Sequence, residues 1–288
     1  MRLGLVIQNN GAPAPALART MPRCAEELGY DSIWVTDHVV GVRAFRPVYG
    51  ATWMEAFTTL AHAAASTSRV RLGLGVLVVP YRDPVLTARM ITTLDHLSQG
   101  RVDVGVGTGW SRAEFHALGR GHLFDARGEV TNESLDLMLR CWQGGEFEWR
   151  GSGFDLRKMA FDPVPYQRPH PPLWIGSRSG RGAAMRRVAK YADVWHPTGL
   201  SPDELREAGD RLDALAGRPI RRSIRLSVAP GTSTSRLVEE LAAYRAAGCE
   251  EAAVDLGGPD AALARDDASA RILAAAQELA AQRDAIVG

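Results

Sequence analysis

The run from Pro84 to Trp110, PVLTARMITTLDHLSQGRVDVGVGTGW, constrains this chain more than any other stretch. Apolar residues recur at helical spacing from Pro84 to Leu97, and Ser98, Gln99 and Gly100 make a turn. Arg101 to Val106 then reads as a short buried strand that opens into Gly105, Gly107 and Gly109. Glycines bunched at the carboxyl end of an apolar strand let a backbone approach a bound group closely, because no β-carbon stands in the way. That points to a cofactor face, although a plain tight turn uses the same residues. A dinucleotide fingerprint is ruled out, since its third glycine position, five after Gly105, is Trp110.

On either side the same beat of strand and helix recurs. Leu3 to Ile7 reads as a strand buried on both faces, followed by a helix from Ala16 to Leu28 that Gly29 ends. Ser32 to Val35 is a second strand, ending in Thr36-Asp37-His38 and a loop to Thr52. A helix from Trp53 to Ser66 leads to a strand from Arg71 to Val79, whose glycines mark a bulge or a close contact. After the central run come a short helical loop, Arg112 to His122, and a helix from Asp125 to Trp142.

Gly144 to Pro172 breaks the rhythm: it is rich in glycine, proline and aromatic residues, and long for a connection, so it reads as an insertion, either a lid or a structured excursion. The alternation then resumes with strands at Leu173 to Ile175, Asp193 to His196, Ile224 to Val228 and Ala252 to Asp255. Helices at Gly180 to Tyr191, Pro202 to Leu215, Ser235 to Ala247 and Ser269 to Ile286 follow them. The tally predicts an α/β fold, a (β/α)8 TIM barrel, with the insertion between helix 4 and strand 5. With 288 residues and 45% hydrophobic content, one domain over 1–288 is expected.

A net charge of +1 with scattered basic residues gives no field for nucleic acid or an anionic membrane surface. No apolar run has the length of a membrane span and MRLGLVIQNN is no signal sequence, so a cytoplasmic protein is expected. Cys24, Cys141 and Cys249 show no paired spacing, and the seven histidines show no HExxH pattern, so no metal site is expected.

Active sites of such barrels lie past the carboxyl ends of the strands, where Asp37 and His38 stand. A carboxylate beside an imidazole suits proton transfer; the same pair also suits a loop cap. Gly176-Ser177-Arg178-Ser179-Gly180 joins the fifth strand to a helix, with small residues, hydroxyls and a guanidinium placed for an anion or simply for capping. It is neither a nucleophile elbow nor a P-loop, because Arg178 holds the centre and no Gly-Lys-Ser/Thr follows.

The segments YDSIWVTDH, DPVLTARMITTLDHLSQGRVDVGVGTGW and PPLWIGSRSG together resemble the luciferase-like monooxygenase superfamily, particularly its coenzyme F420-dependent oxidoreductases. The likeness runs from Met1 to about Pro197. It implies that Asp37 and His38 face the reactive ring, and that a non-prolyl cis peptide at Gly75 and Val76, beside Leu77, backs that ring. It gives Gly107, Thr108, Gly109 and Trp110 to the ring and ribityl part of the cofactor and Gly176 to Gly180 to its phosphate. Where sugar-phosphate dehydrogenases of the family carry a catalytic glutamate, this chain has Trp110.

The implied activity is hydride transfer between the deazaflavin F420 and a small-molecule substrate, by a homodimer. Two rivals keep the fold: an FMN-dependent monooxygenase using oxygen, and a barrel that binds a cofactor without catalysis. Phe45, Tyr49, Trp53, Phe147 and Trp149 suggest an apolar substrate pocket.

Overall fold

The computed structural model describes residues 1–43, 51–177, 182–229, 231–257 and 267–287. The strands are β1 (Arg2–Val6), β2 (Ser32–Val35), β3 (Arg71–Leu74), β4 (Leu77–Val78), β5 (Val102–Gly107), β6 (Gly145–Arg150), β7 (Asp155–Phe161), β8 (Leu173–Ile175), β9 (Val194–Trp195), β10 (Arg221–Ser227) and β11 (Glu251–Asp255). The helices are α1 (Ala14–Glu27), α2 (Ala56–Ser66), α3 (Pro84–Leu97), α4 (Arg112–Ala117), α5 (Arg127–Trp142), α6 (Gly182–Tyr191), α7 (Pro202–Ala216), α8 (Thr234–Ala246), α9 (Ala268–Ala281) and α10 (Arg283–Val287).

Nine of these strands form one sheet in the order β3-β2-β1-β11-β10-β9-β8-β5-β4, and a further β3–β5 pairing closes it. Every pairing in that sheet is parallel. Because β3 and β4 both lie against β5, through Leu72↔Val102 and Leu77↔Val106, they are two halves of one barrel strand. The result is the closed eight-stranded (β/α)8 barrel that the alternation predicts.

Local chemistry sets the helix ends. The Asp83 carboxylate accepts from the Val85 and Leu86 amides at 2.9 and 3.0 Å, with Pro84 next to it, and so starts α3. Gly100 at φ 83° turns the chain back into β5. Ser201 and Glu204 form a reciprocal capping box on α7.

The lumen is packed with aromatic groups. Trp34 and Trp174 meet edge to face at 4.7 Å, and His196 stacks on Trp34 at 5.0 Å. Gly73 is required here, since a β-carbon on it would stand 2.2 Å from the Trp34 ring. Outside the strands, a larger apolar core joins barrel to helices and includes Cys141 and Cys249 as free thiols.

The strand expected from Arg71 to Val79 is interrupted at Gly75-Val76, whose peptide bond is cis, and the last helix is divided at Gln282. The helix expected from Gly180 is described from Gly182. The insertion is an antiparallel hairpin, β6 with β7, and it leaves the barrel at the end opposite the strand carboxyl termini, as helix-to-strand connections do. It lies along the outer helices: Arg140 covers the Phe147 ring at 4.5 Å, Arg89 covers Phe161 at 3.9 Å, and Glu133 accepts from the Gly153 amide at 3.1 Å. Phe147 and Trp149 therefore belong to the outer core and not to a pocket at the mouth. Phe45 and Tyr49 lie outside the described residues. Among the described residues no helix is long and apolar enough to cross a membrane.

Candidate active site

The strand carboxyl ends carry His38, Val76, Gly107, Thr108, Gly109 and Gly176, each of them half-buried. His38 sits between two indoles, 4.5 Å from the Trp53 ring and 5.7 Å from Trp110. Trp110 is 48% exposed and, with the exposed Val39 and Val40, makes an apolar rim beside that imidazole.

Behind His38 is a residue that sequence reasoning missed. Glu114, 1% exposed, accepts from His38 Nδ1 at 2.8 Å, from the Val39 amide at 2.6 Å and from the Tyr81 phenol at 3.0 Å. Burial works to raise the Glu114 pKa, but the hydrogen bonds from His38, the Val39 amide and Tyr81 prevail and hold it below the usual glutamate range. An ionised carboxylate is thus fixed against Nδ1, which selects the tautomer that carries its proton there. The available signal was Ser111-x-x-Glu114, which reads as a capping box. Only half of that box forms: the Ser111 hydroxyl caps the Glu114 amide at 3.3 Å, while the Glu114 side chain turns inward to His38.

Asp37 faces the other way. Its carboxylate is 2% exposed and receives Arg82 through Nη1 at 2.6 Å and Nη2 at 2.7 Å, plus the Val78 amide at 2.9 Å. Both oxygens are committed to joining the β2 end to the segment after β4. In the structure His38 is hydrogen-bonded to Glu114, while its neighbour Asp37 is held by Arg82.

The glycines of β5 and β8 have a definite use. A β-carbon on Gly107 would lie 2.5 Å from Val76 Cγ2, and one on Gly176 would lie 3.1 Å from Val76 Cγ1. They make room for the Val76 side chain, which forms a half-buried ridge across the top of the lumen, while Gly75 and Leu77 on either side are buried. Gly109, at φ 77°, packs its backbone against Val78 and Phe115.

Of the expected phosphate turn, Gly176 and Ser177 precede α6, and the Ser177 hydroxyl accepts from the Trp195 indole at 2.9 Å. Arg178, Ser179 and Gly180 lie outside the described residues. A cavity of about 490 Å³ bounded by Arg2, Asp31, Arg245 and Arg283 opens at the opposite barrel end. There Arg2 pairs with Glu251 at 2.9 Å and Arg283 with Asp31 at 2.9 Å, so it is a salt-bridged end face away from His38.

Fold and site together define a parallel barrel whose aromatic and titratable groups gather at the strand carboxyl ends, the face where such barrels do chemistry. A sequence profile of the luciferase-like monooxygenase family matches residues 1–287, and the chain belongs to that family. An uncharacterized protein of Mycobacterium tuberculosis strain H37Rv is 31% identical over 298 residues, spanning 97% of this chain and 99% of its own. An F420-dependent secondary alcohol dehydrogenase, solved with an F420-acetone adduct, superposes with a TM-score of 0.81 at 16% identity over 99% of this chain and 98% of that one. The oxygenating constituent of 3,6-diketocamphane monooxygenase from Pseudomonas putida, solved with FMN, gives 0.76 at 15% identity over 97% and 96%. At those identities the likeness shows the barrel; family membership makes the chain one of a group of flavin- or F420-dependent oxidoreductases.

Proposed function

We propose that this protein is an F420-dependent oxidoreductase that transfers a hydride between the deazaflavin and a small, largely apolar organic substrate, with His38 handling the accompanying proton. The observation that carries the reading is the His38 imidazole at the strand carboxyl ends, pinned by buried Glu114 and flanked by Trp53 and Trp110. The residues present suit a flat tricyclic group: an apolar ridge at Val76, an exposed indole at Trp110, and Gly176 and Ser177, which precede α6 in the chain, for the anionic end. When bound, a deazaflavin supplies a two-electron hydride donor or acceptor, and its ring carbon in place of the flavin nitrogen disfavours reaction with oxygen.

The protein's part is to hold the proton and exclude water. Glu114 keeps Nδ1 occupied, so His38 exchanges its mobile proton at Nε2 with the substrate oxygen, and the carboxylate stabilises the imidazolium form in the act. Trp53, Trp110, Val39 and Val40 line the approach with apolar surface. Val76, with Gly75 and Leu77, would support the ring; Gly107, Thr108 and Gly109 would border it, and Ser177 would serve the phosphate side. Asp37 braces the loop through Arg82. The reading carries with it a cytoplasmic homodimer, checked by sedimentation of the purified protein.

An FMN-dependent monooxygenase is the second reading, favoured by the FMN-bound barrel neighbour. Titration of the protein with F420 and, separately, with FMN, followed by tryptophan fluorescence, distinguishes the two. We expect tight binding of F420 and no substrate-coupled oxygen uptake. Preference for FMN with oxygen consumption supports the monooxygenase, and binding of neither removes the cofactor assignment.

A further inference from the structure

The barrel has a polar rung directly beneath the proposed site. The third barrel strand (β3 with β4) and the seventh (β10) stand on opposite sides of the lumen, yet Arg225 on β10 reaches across it to the interruption between β3 and β4. Its Nη1 donates to the Gly75 carbonyl at 2.5 Å and its Nη2 to Asp255 Oδ2 at 2.8 Å. Asp255 is held in turn by the Gln8 side-chain amide and the Gly257 backbone amide, the latter at 3.2 Å, so the chain of contacts runs on to the end of β1. Gly75 is tied on both sides, since its own amide donates to Val35 O at 2.7 Å.

We propose that Arg225 is a positioning residue that, aligned by Asp255 and Gln8, holds the Gly75 carbonyl across the barrel and thereby sets the height and tilt of the Val76 ridge on which the cofactor ring rests. The proposal rests on the functional reading above for the identity of what lies on the ridge; the clamp itself stands on the contacts. Val76 cannot sink, because its methyl groups already fill the space left by Gly107 and Gly176. It can tilt, and among the described residues the restraint on the Gly75 carbonyl from the far wall is the Arg225 guanidinium. A planar fork with donors aimed in two directions meets both Gly75 and Asp255 at once, which the single ammonium of a lysine does not reproduce. The pair also keeps the floor neutral: the Asp255 carboxylate balances Arg225, and neighbouring His196 is buried and uncharged.

The test uses Arg225→Met, Arg225→Lys and the near-isosteric Asp255→Asn, the last carrying the decision where Arg225→Met fails to fold. Amide hydrogen exchange over residues 72–78 is followed in the cofactor-free protein, with Leu3 to Val6 as internal reference. We expect exchange over 72–78 to rise about tenfold in Arg225→Met and Asp255→Asn, the scale of one lost charge-assisted hydrogen bond, with the reference unchanged and lysine failing to restore it. Whichever of F420 or FMN the wild-type protein binds is then titrated into each variant. A fall in affinity of about tenfold together with a shifted absorbance spectrum of the bound ring is expected. Wild-type exchange over 72–78 in both variants overturns the clamp, and raised exchange with unaltered affinity and spectrum overturns its role in placing the cofactor. Wild-type protein that binds neither cofactor overturns the functional reading and the placement role together, while the exchange data still decide the clamp.

Discussion

Arg82 grips both carboxylate oxygens of Asp37, at 2.6 and 2.7 Å, in a pair that lies under the loop carrying His38. The aspartate is buried, and Arg82 makes a second contact to Glu55 at 3.2 Å, at the start of α2. Removing one member of such a pair strands the other charge away from water, which costs about 3 to 5 kcal/mol. We therefore expect Arg82→Met, and Asp37→Ala, to lower stability by roughly that amount in urea unfolding. An Asp37→Ala protein with wild-type stability and abolished turnover would return the aspartate to the proton-transfer role.

Glu114 and His38 make the opposite expectation. His38 is half-buried at the mouth, and in its absence Glu114 keeps its hydrogen bonds from the Tyr81 phenol and the Val39 amide. We expect His38→Ala to lower turnover by about 10²- to 10⁴-fold, the usual contribution of a placed acid or base, with a modest change in stability. In Glu114→Gln the neutral amide no longer fixes the Nδ1 proton or stabilises imidazolium. Its proton NMR signature checks this without any substrate: a hydrogen-bonded Nδ1 proton in the wild type, absent in Glu114→Gln and in His38→Ala. No such resonance in the wild type would dissolve the pair.

What the sequence made legible follows the range of the interactions. Strands at Ser32–Val35 and Leu173–Ile175 and the helix at Pro84–Leu97 carry the bounds read from the sequence, because their limits are set by adjacent groups such as Asp83, Pro84 and Gly100. The two glycines of the third strand signalled a bulge or a close contact, and the structure divides the meanings: Gly73 admits Trp34, and Gly75 is the interruption. The site's pairings join residues far apart in the chain. Asp37 and Arg82 are 45 positions apart, His38 and Glu114 are 76, and Gly75 and Arg225 are 150. No periodicity reports such partners, so the basic residues read from the sequence only as scattered charges.

His196 gives a pH dependence with a definite sign. The Ser223 hydroxyl donates to Trp195 O at 2.9 Å, so His196 Nδ1–H donates to Ser223 Oγ at 2.8 Å and Nε2 is the bare nitrogen, buried with no hydrogen-bond partner among the described residues. Burial first, and the nearby Arg225 guanidinium second, push its pKa down to about 3. The unfolded chain takes up this proton near the ordinary imidazole value and the folded protein resists it. The stability due to neutral His196 is therefore present above roughly pH 6.5 and is lost as pH falls toward the folded value, by about 1.4 kcal/mol for each pH unit. His196→Phe keeps a ring on Trp34 and removes the proton site, so its stability should fall less steeply between pH 6.5 and 4.5 than the wild type's in urea titrations, the window lying between the two imidazole values. Parallel profiles for the two proteins would contradict a buried neutral imidazole.

The tight fit of Gly107 under Val76 can be tested by making it tighter and then relieving it. A β-carbon at Gly107 would stand 2.5 Å from Val76 Cγ2, closer than any real contact, and a valine side chain has no flexible end to swing aside. Gly107→Ala should therefore lift the ridge, at a cost of about 1 to 3 kcal/mol in stability, and weaken whichever cofactor the wild-type protein binds. Val76→Ala alone lowers the ridge and removes the methyl groups in question. In the double variant the added carbon occupies the space that the valine methyls vacate, so the two changes should offset each other, with a coupling of about 1 kcal/mol or more by denaturant unfolding. Strictly additive effects would mean that Gly107 and Val76 do not meet as described, and that the glycines of β5 serve the approach of a ligand and not the seating of this side chain.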